Sequence, residues 1–418
     1  MKRSLDGWLE YISSQHPATI ALGLDRVSEV WRRMALPELP AVVTVGGTNG
    51  KGSTCAIVER ILLEAGYHTG LYTSPHLLRY NERVRLDGVD ASDAVLIDGF
   101  ERVEAARGDV ALTYFEFGTL GALAAFAQAN LEAVILEVGL GGRLDAVNII
   151  NADVAIVVSV DLDHQAFLGD DIESIGFEKA GIYRRGRPAI FGDVNPPKRL
   201  VEHARAIGAQ LMVLGDAFRY EAHDRQWDFI SHKGAKRALP MPALRGRWQL
   251  KNASCALAAL DELSARLPVS LGEVKRGLAT VNLPGRLQSI PGRPAIVLDV
   301  AHNPHAARSL ADGLGDMGFF ENTFAVVGML ADKDMGGVVD ALRHRIDRWY
   351  VAAPEAERAA PAETLAGIVR QHAPGAAPRT FATVTAALER ARREAGPNDR
   401  IIVLGSFYTV AEALRSVR

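Results

Sequence analysis

The chain has little sulfur, no excess of charge of either sign and no long uninterrupted apolar run. Only Cys55 and Cys255 occur among 418 residues, which excludes a disulfide-stapled secreted scaffold and fits a reducing compartment. Two free core thiols are expected. The most apolar stretch, Gly118 to Val138, is interrupted by Gln128, Asn130, Glu132 and Glu137, so it lacks the roughly 20 apolar residues that span a bilayer. The N-terminal "MKRSLDGWLEYISSQH" carries Asp6 and Glu10 where an export signal needs an apolar core. A cytoplasmic protein with no membrane partner is expected. Lys and Arg total 47 against 50 Asp and Glu, giving no general electrostatic reason to bind nucleic acid. Small molecules are the expected partners.

The remaining composition is that of a soluble globular protein, 48% hydrophobic and 23% charged, long enough for two or three domains. From residue 41 to about 215, short β-branched runs alternate with helical stretches. "AVVTV" (41–45), "LEAVILEV" (131–138) and "ADVAIVVSV" (152–160) are continuously apolar, which means burial on both faces, as in a parallel sheet covered by helices. The fold class expected is α/β: a P-loop-type doubly wound, mainly parallel sheet. Residues 215–245 change texture and predict one or two antiparallel hairpins attached to that sheet. The Pro- and Gly-rich "LPGRLQSIPGRP" (283–294) predicts a linker at 285–294 between a domain of residues 1–284 and a smaller Rossmann-like α/β domain of residues 295–418.

The stretch "VGGTNGKGST" (45–54) departs from the usual phosphate-loop pattern: Val45 stands in place of the first Gly, and Gly52 separates Lys51 from Ser53. Its context, a buried strand, a glycine-rich turn and a helix start, is nevertheless what a phosphate site needs. Further polar groups stand at predicted strand ends: Ser74 in "TSPHL", Glu137 in "LEVGLGGRLDA", and His164 in "LDHQAFLG". Ligand-binding loops of open α/β sheets gather there. A carboxylate at the position of Glu137 needs a cation or donors, and magnesium beside a phosphate loop meets that need. Lys179, in "EKAGI", reads by itself as an ordinary helical lysine. In "DVAHNPHA", Asn303 and Pro304 suit a helix start, leaving His302 in a strand-end loop.

Taken together, "GTNGKGS", "TSPHL", "NERVR", "EVGLGGRLDA", "LDHQAFLG", "EKAGI", "LPGRL", "DVAHNPHA" and "GSFYT" resemble, in order and over most of the chain, the folylpolyglutamate synthase and dihydrofolate synthase group of the Mur ligase superfamily. That family's own phosphate loop has the Thr-Asn-Gly-Lys-Gly-Ser form, so the irregular spacing is its signature. The resemblance implies that Thr48, Asn49, Gly50, Lys51, Gly52 and Ser53 hold ATP phosphates, and that Asn252, Arg286 and Asp299 contact the nucleotide in an interdomain cleft. Ser74, Glu137 and His164 would ligate magnesium, two ions being implied. Lys179 matches a lysine that the superfamily carboxylates with carbon dioxide to a carbamate. Ala21, Leu22, Gly23, Leu24, Thr113, Tyr114, Phe115, Glu116, Leu144, Asp145 and Ala146 match the pterin side; His302, from its strand-end loop, and Ser406 are expected near the glutamate side. Two departures stand out: Ala21 where relatives often carry Asp, with Asp25 as the nearest substitute, and Val147 inside an otherwise Ala-Thr-Asn stretch.

The activity so implied is glutamate addition, through an acyl phosphate, to dihydropteroate and to tetrahydrofolate; a monomer is expected because the sequence shows no obvious association segment. Folylpolyglutamate synthesis alone is the near alternative. A Mur-type peptidoglycan ligase is disfavoured because only about 40 residues precede the loop strand. A regulatory ATP-binding module is disfavoured because it has no use for Glu137, His164 and Lys179 together.

Overall fold

Two compact units make up the computed structural model: residues 1–243 with 250–281, and residues 244–249 with 282–418. The structure describes residues 3–18 and 20–417. In the N-terminal unit the strands are β1 (Ala41–Gly46), β2 (Thr69–Tyr72), β3 (Val84–Leu86), β4 (Val89–Asp90), β5 (Ala133–Glu137), β6 (Val154–Val157), β7 (Pro188–Phe191) and β8 (Gln210–Val213). They form one sheet in the order β4-β3-β2-β5-β1-β6-β7-β8. Every pairing from β2 to β8 is parallel, and β3 and β4 are antiparallel additions at one edge.

The central strands are buried along their whole length, as their unbroken apolar runs predict. The helices that cover them read the same way. Helix Tyr114–Gln128 is buried over most of its circumference because Gly118, Gly121 and a run of alanines keep its surface thin. Gly99 and Gly121 let it meet helix Asp93–Arg107 closely: a Cβ on Gly99 would lie 2.6 Å from the Gly121 carbonyl oxygen. Chain order places β1 between β5 and β6, with connections leaving to either side. The carboxyl end of β1 is therefore the switch point at which open α/β sheets bind ligands.

Residues 215–245 form β9 (Phe218–Ala222), β10 (Gln226–Ser231) and β11 (Gly234–Pro240), a separate three-stranded antiparallel sheet rather than hairpins added to the large one. Trp227 and Phe229 are fully buried, whereas most of their β9 and β11 neighbours are exposed. The apolar residues of β10 have one face to bury, and Ser231 and Lys236 tie the sheet to Asp261 on helix Trp248–Glu262.

The C-terminal unit holds β12 (Gln288–Ile290), β13 (Ala295–Leu298), β14 (Thr323–Val327), β15 (Arg348–Ala352), β16 (Arg379–Phe381) and β17 (Arg400–Leu404), ordered β12-β13-β17-β14-β15-β16. Only β12 is antiparallel. The stretch expected to be a linker is thus part of this sheet. Gln288, Ser289 and Ile290 pair with Leu298, Val297 and Ile296, and two prolines are accommodated outside the paired residues. Its core centres on Val297, Leu310, Val327, Val351 and Ile402. Both cysteines are free and buried, and among the described residues no helix is long and apolar enough to cross a membrane.

Candidate active site

The phosphate-loop sequence follows β1 and opens helix Lys51–Glu64. Gly50 is the cap residue, with φ 86°, where a side chain is strained. A Cβ there would also come within 2.5 Å of the Asn252 side-chain oxygen and 2.8 Å of Val158. The loop is braced from β6: the Thr48 amide donates to the Ser159 carbonyl (2.8 Å), and the Thr48 hydroxyl bonds the backbone of Asp161. The Asn49 amide donates to Ser159 Oγ at 3.0 Å, and that hydroxyl donates back to the Asn49 carbonyl. Thr48 is therefore placed chiefly as a brace, its amide and hydroxyl both engaged. Lys51 Nζ curls over the loop to the carbonyls of Gly47 (3.0 Å) and Thr48 (3.3 Å). Ser53 is buried in the first turn of the helix, where backbone amides and the helix dipole favour anions.

Glu137 ends β5 beside Val45 of β1 and is 5% exposed. Its carboxylate accepts the Ser74 amide at 3.2 Å, so the structure brings these two expected ligands together. His164 stands on the loop after β6 with φ 51°, its ring 3.9 Å from the Asp163 carboxylate. Among the described residues no three His, Cys, Asp or Glu side chains form a ready metal cluster. The donor chemistry fits a hard cation all the same: a buried carboxylate with the hydroxyl-bearing Ser74 just after β2 and Ser53 in the first turn of the helix that follows β1.

Lys179, in the last turn of helix Ile172–Ala180, is 4% exposed. Among the described residues no carboxylate lies within ion-pair distance of it. Burial, reinforced by the charge of Lys51, pushes its amine down to about 7, with Asp163 and Asp145 opposing. The backbone around it is fixed by the loop 142–148. Arg143 grips Glu178 through Nη2 (2.8 Å) and Nε (3.1 Å), the Arg143 amide donates to the Glu178 carbonyl, and Asn148 donates to the carbonyls of Arg143 and Gly181.

The three segments expected on the pterin side converge. The Gly23 amide donates to the Leu144 carbonyl at 3.4 Å. Arg26 bonds the Ala21 carbonyl (2.8 Å) and the Glu116 carboxylate (2.9 Å). Glu116 closes a capping box with Thr113. Leu22 and Leu24 lie in the same partly buried turn, and Leu24 precedes helix Asp25–Met34. Phe115 packs on Gly139, where a Cβ would lie 2.6 Å from its ring, and stands 6.1 Å from Tyr72. Asp145 accepts the amides of Leu140 (2.8 Å) and Val147 (3.0 Å), and burial raises its carboxyl to about 6. Its oxygens thus hold the 139–147 loop and position the neighbouring Ala146. The sequence reading did not single out Arg26 or Ser159, because a bracing residue carries no local signature.

In the C-terminal unit the expected residues also gather. Asp299 accepts the Leu287 and Ala301 amides (2.7 and 2.8 Å), and burial raises its carboxyl against the nearby Arg286 charge. Arg286 lies over the Phe407 ring at 5.1 Å, and His302 stands 6.4 Å from the same ring. His302 Nδ1 donates to the Val300 carbonyl at 2.8 Å. Ser406 is buried, its oxygen 2.7 Å from the Thr409 hydroxyl. It starts the last helix rather than facing outward.

Comparison with known proteins accounts for this arrangement. Residues 45–260 match the Mur ligase middle domain, and residues 285–407 match the Mur ligase glutamate ligase domain. The chain is 44% identical over 414 residues to the dihydrofolate synthase/folylpolyglutamate synthase of Escherichia coli, covering 99% of this chain and 95% of the relative. Among solved structures, Escherichia coli FolC in complex with DHPP and ADP superposes with a TM-score of 0.94 at 44% identity, covering 99% of this chain and 98% of the other. A bifunctional folylpolyglutamate synthase/dihydrofolate synthase with Mn, AMPPNP and L-glutamate bound gives 0.91 at 44% identity, with coverages of 99% and 98%. With the strand-end groups of the sheet, these matches establish that the chain belongs to the dihydrofolate synthase/folylpolyglutamate synthase family of Mur ligases.

Proposed function

We propose that this protein is an ATP-dependent amide ligase that adds L-glutamate to 7,8-dihydropteroate and, by γ-linkage, to tetrahydrofolate, releasing ADP and phosphate. The observation that carries the reading is the convergence on one sheet edge of the Lys51 loop, the Glu137–Ser74 pair and the pocket joining residues 21–24, 113–116 and 144–146. A phosphate-binding loop on the same sheet edge as the rings of Tyr114 and Phe115 suits activation of an aryl carboxylate by phosphoryl transfer.

Lys51 and the first amides of its helix bind and neutralise the triphosphate, and the rigid bracing by Ser159 keeps them in place. Ser74, Glu137 and Ser53, with His164 as a further donor, would hold magnesium. When bound, magnesium supplies charge neutralisation on the transferring phosphoryl group. Phe115 and Tyr114 offer ring surface to the pteridine or benzoyl group, oriented by Arg26 and Glu116. The acid substrate then carries an acyl phosphate, and the α-amine of glutamate displaces phosphate from it. His302 and Ser406 are assigned to the glutamate side, and Asn252, Arg286 and Asp299 to the nucleotide.

Lys179 is the position for carboxylation by carbon dioxide. Only a neutral amine attacks carbon dioxide, and an amine lowered to about 7 is substantially neutral in the physiological range. The resulting carbamate replaces a cation that would repel a metal with an anion that attracts one. Two magnesium ions, a monomer and a cytoplasmic location complete the proposal.

The test is purified protein with ATP, magnesium and L-glutamate, supplied with dihydropteroate or with tetrahydrofolate. Phosphate release and product formation with both are expected. Release with tetrahydrofolate alone would reduce the activity to chain extension, and release with neither would refute the ligase reading.

A further inference from the structure

Arg83 immediately precedes β3, and among the described residues its charge has no acidic partner. Its carbonyl accepts the Thr73 amide at 2.9 Å, one residue before Ser74, so it stands on the same sheet edge as the Glu137–Ser74 pair. Nε donates to His76 Nδ1 at 2.9 Å, which fixes that imidazole nitrogen as an unprotonated acceptor. The guanidinium lies 5.3 Å from the Tyr80 ring centre and 5.6 Å from that of Tyr114. The adjacent carboxylate is unavailable, because Glu82 accepts the amides of Leu77, Leu78 and Arg79 at 2.7 to 2.9 Å. Among the described residues no carboxylate lies within ion-pair distance of Arg83.

A guanidinium cannot shed its proton in a protein, and a charge drawn out of water calls for a counter-charge or full hydrogen bonding. Here Nε is engaged with His76, the Tyr72 hydroxyl is a further hydrogen-bonding neighbour and two rings face the cation, while the guanidinium keeps the planar fork that recognises oxygen acceptors. Tyr114 belongs to the pterin-side segment, so the fork borders the pocket assigned above to the acid substrate.

We infer that Arg83 is a substrate-binding residue, its terminal nitrogens pairing with an acceptor oxygen of the pteroyl substrate, while His76 and the two tyrosines hold the guanidinium in orientation. The inference rests on the folate reading of the pocket. Two ends of that substrate carry such an oxygen, the carboxylate and the pteridine carbonyl, and the test separates them.

Arg83→Gln and Arg83→Lys are assayed for the KM of dihydropteroate and of ATP, with melting temperature as the check on folding. A KM for dihydropteroate raised tenfold or more in Arg83→Gln, partly restored in Arg83→Lys, with the ATP KM within twofold of wild type, is the expected result. Binding of 6-hydroxymethyl-7,8-dihydropterin, which lacks the carboxylate, locates the partner. Equal affinity in wild type and Arg83→Gln assigns the carboxylate, and weakened affinity assigns the pteridine. Unchanged dihydropteroate KM and kcat in Arg83→Gln would overturn the inference. Should the variants fail to fold, phenylglyoxal labelling of the wild type decides: protection of Arg83 by dihydropteroate supports the assignment, and unprotected labelling overturns it. Wild type inactive towards every pteroyl substrate would instead overturn the reading of the pocket itself.

Discussion

Lys179 is a lysine whose surroundings remove most of its basicity, and the sign of the pH effects follows from that. Its folded value of about 7 lies below the ordinary 10.5, so between these limits the unfolded chain holds a proton that the folded chain has released. Stability therefore rises with pH through that window, by roughly 1.4 kcal/mol per pH unit at its steepest. In carbon dioxide-free buffer, Lys179→Met is expected to be more stable than wild type at pH 7 and to lose that advantage progressively by about pH 10. Urea denaturation at four pH values checks it. Glutamate ligation by the same variant should fall at least a hundredfold, and an undiminished rate would remove the carbamate role. Gly50 is the second residue whose identity is dictated by geometry. Gly50→Ala forces a side chain onto Asn252 and Val158 at φ 86°, so it should cost about 1–3 kcal/mol and weaken ATP binding, read by denaturation and by calorimetric titration.

At the scale of elements, the site proposed for the acid substrate is built from a turn, a helix start and a loop that no periodicity marks. Sequence showed the helices and strands on either side, because their apolar patterns carry period and burial. It did not show that Arg26 ties Ala21 to Glu116, since a link across 90 residues has no local trace. Arg26→Ala should release the turn and raise the dihydropteroate KM several-fold while leaving the ATP KM unchanged, as steady-state kinetics with each substrate varied would reveal. The same reasoning explains the reading of 283–294 as a linker. Its prolines and glycines obscured a three-residue strand that pairs only through backbone. In the C-terminal unit, Asn303 was legible as a cap and is one, accepting the Ala306 amide at 2.9 Å. Asn303→Ala should cost about 1 kcal/mol, measured as a lowered melting temperature.

Across the whole molecule, each unit carries its own cluster: phosphate loop, Glu137 and Lys179 in one, Arg286, Asp299 and His302 in the other. Chelation of divalent cations by EDTA should abolish ligation with either pteroyl substrate, and added magnesium should restore it. Continued turnover with EDTA present would contradict the metal assignment. By itself the sequence determined the α/β class and the family, and pointed to the strand ends proposed to carry function, because apolar runs, glycines at a strand-to-helix turn and ordered motifs are local or linear signals. Tertiary structure alone decided that Thr48 and Asp145 brace loops, that Ser74 meets Glu137, and that Arg83 faces Tyr114 with no carboxylate at ion-pair distance among the described residues. Those facts depend on which distant groups share a small volume, and burial and hydrogen-bond partners exist only once the chain has closed on itself.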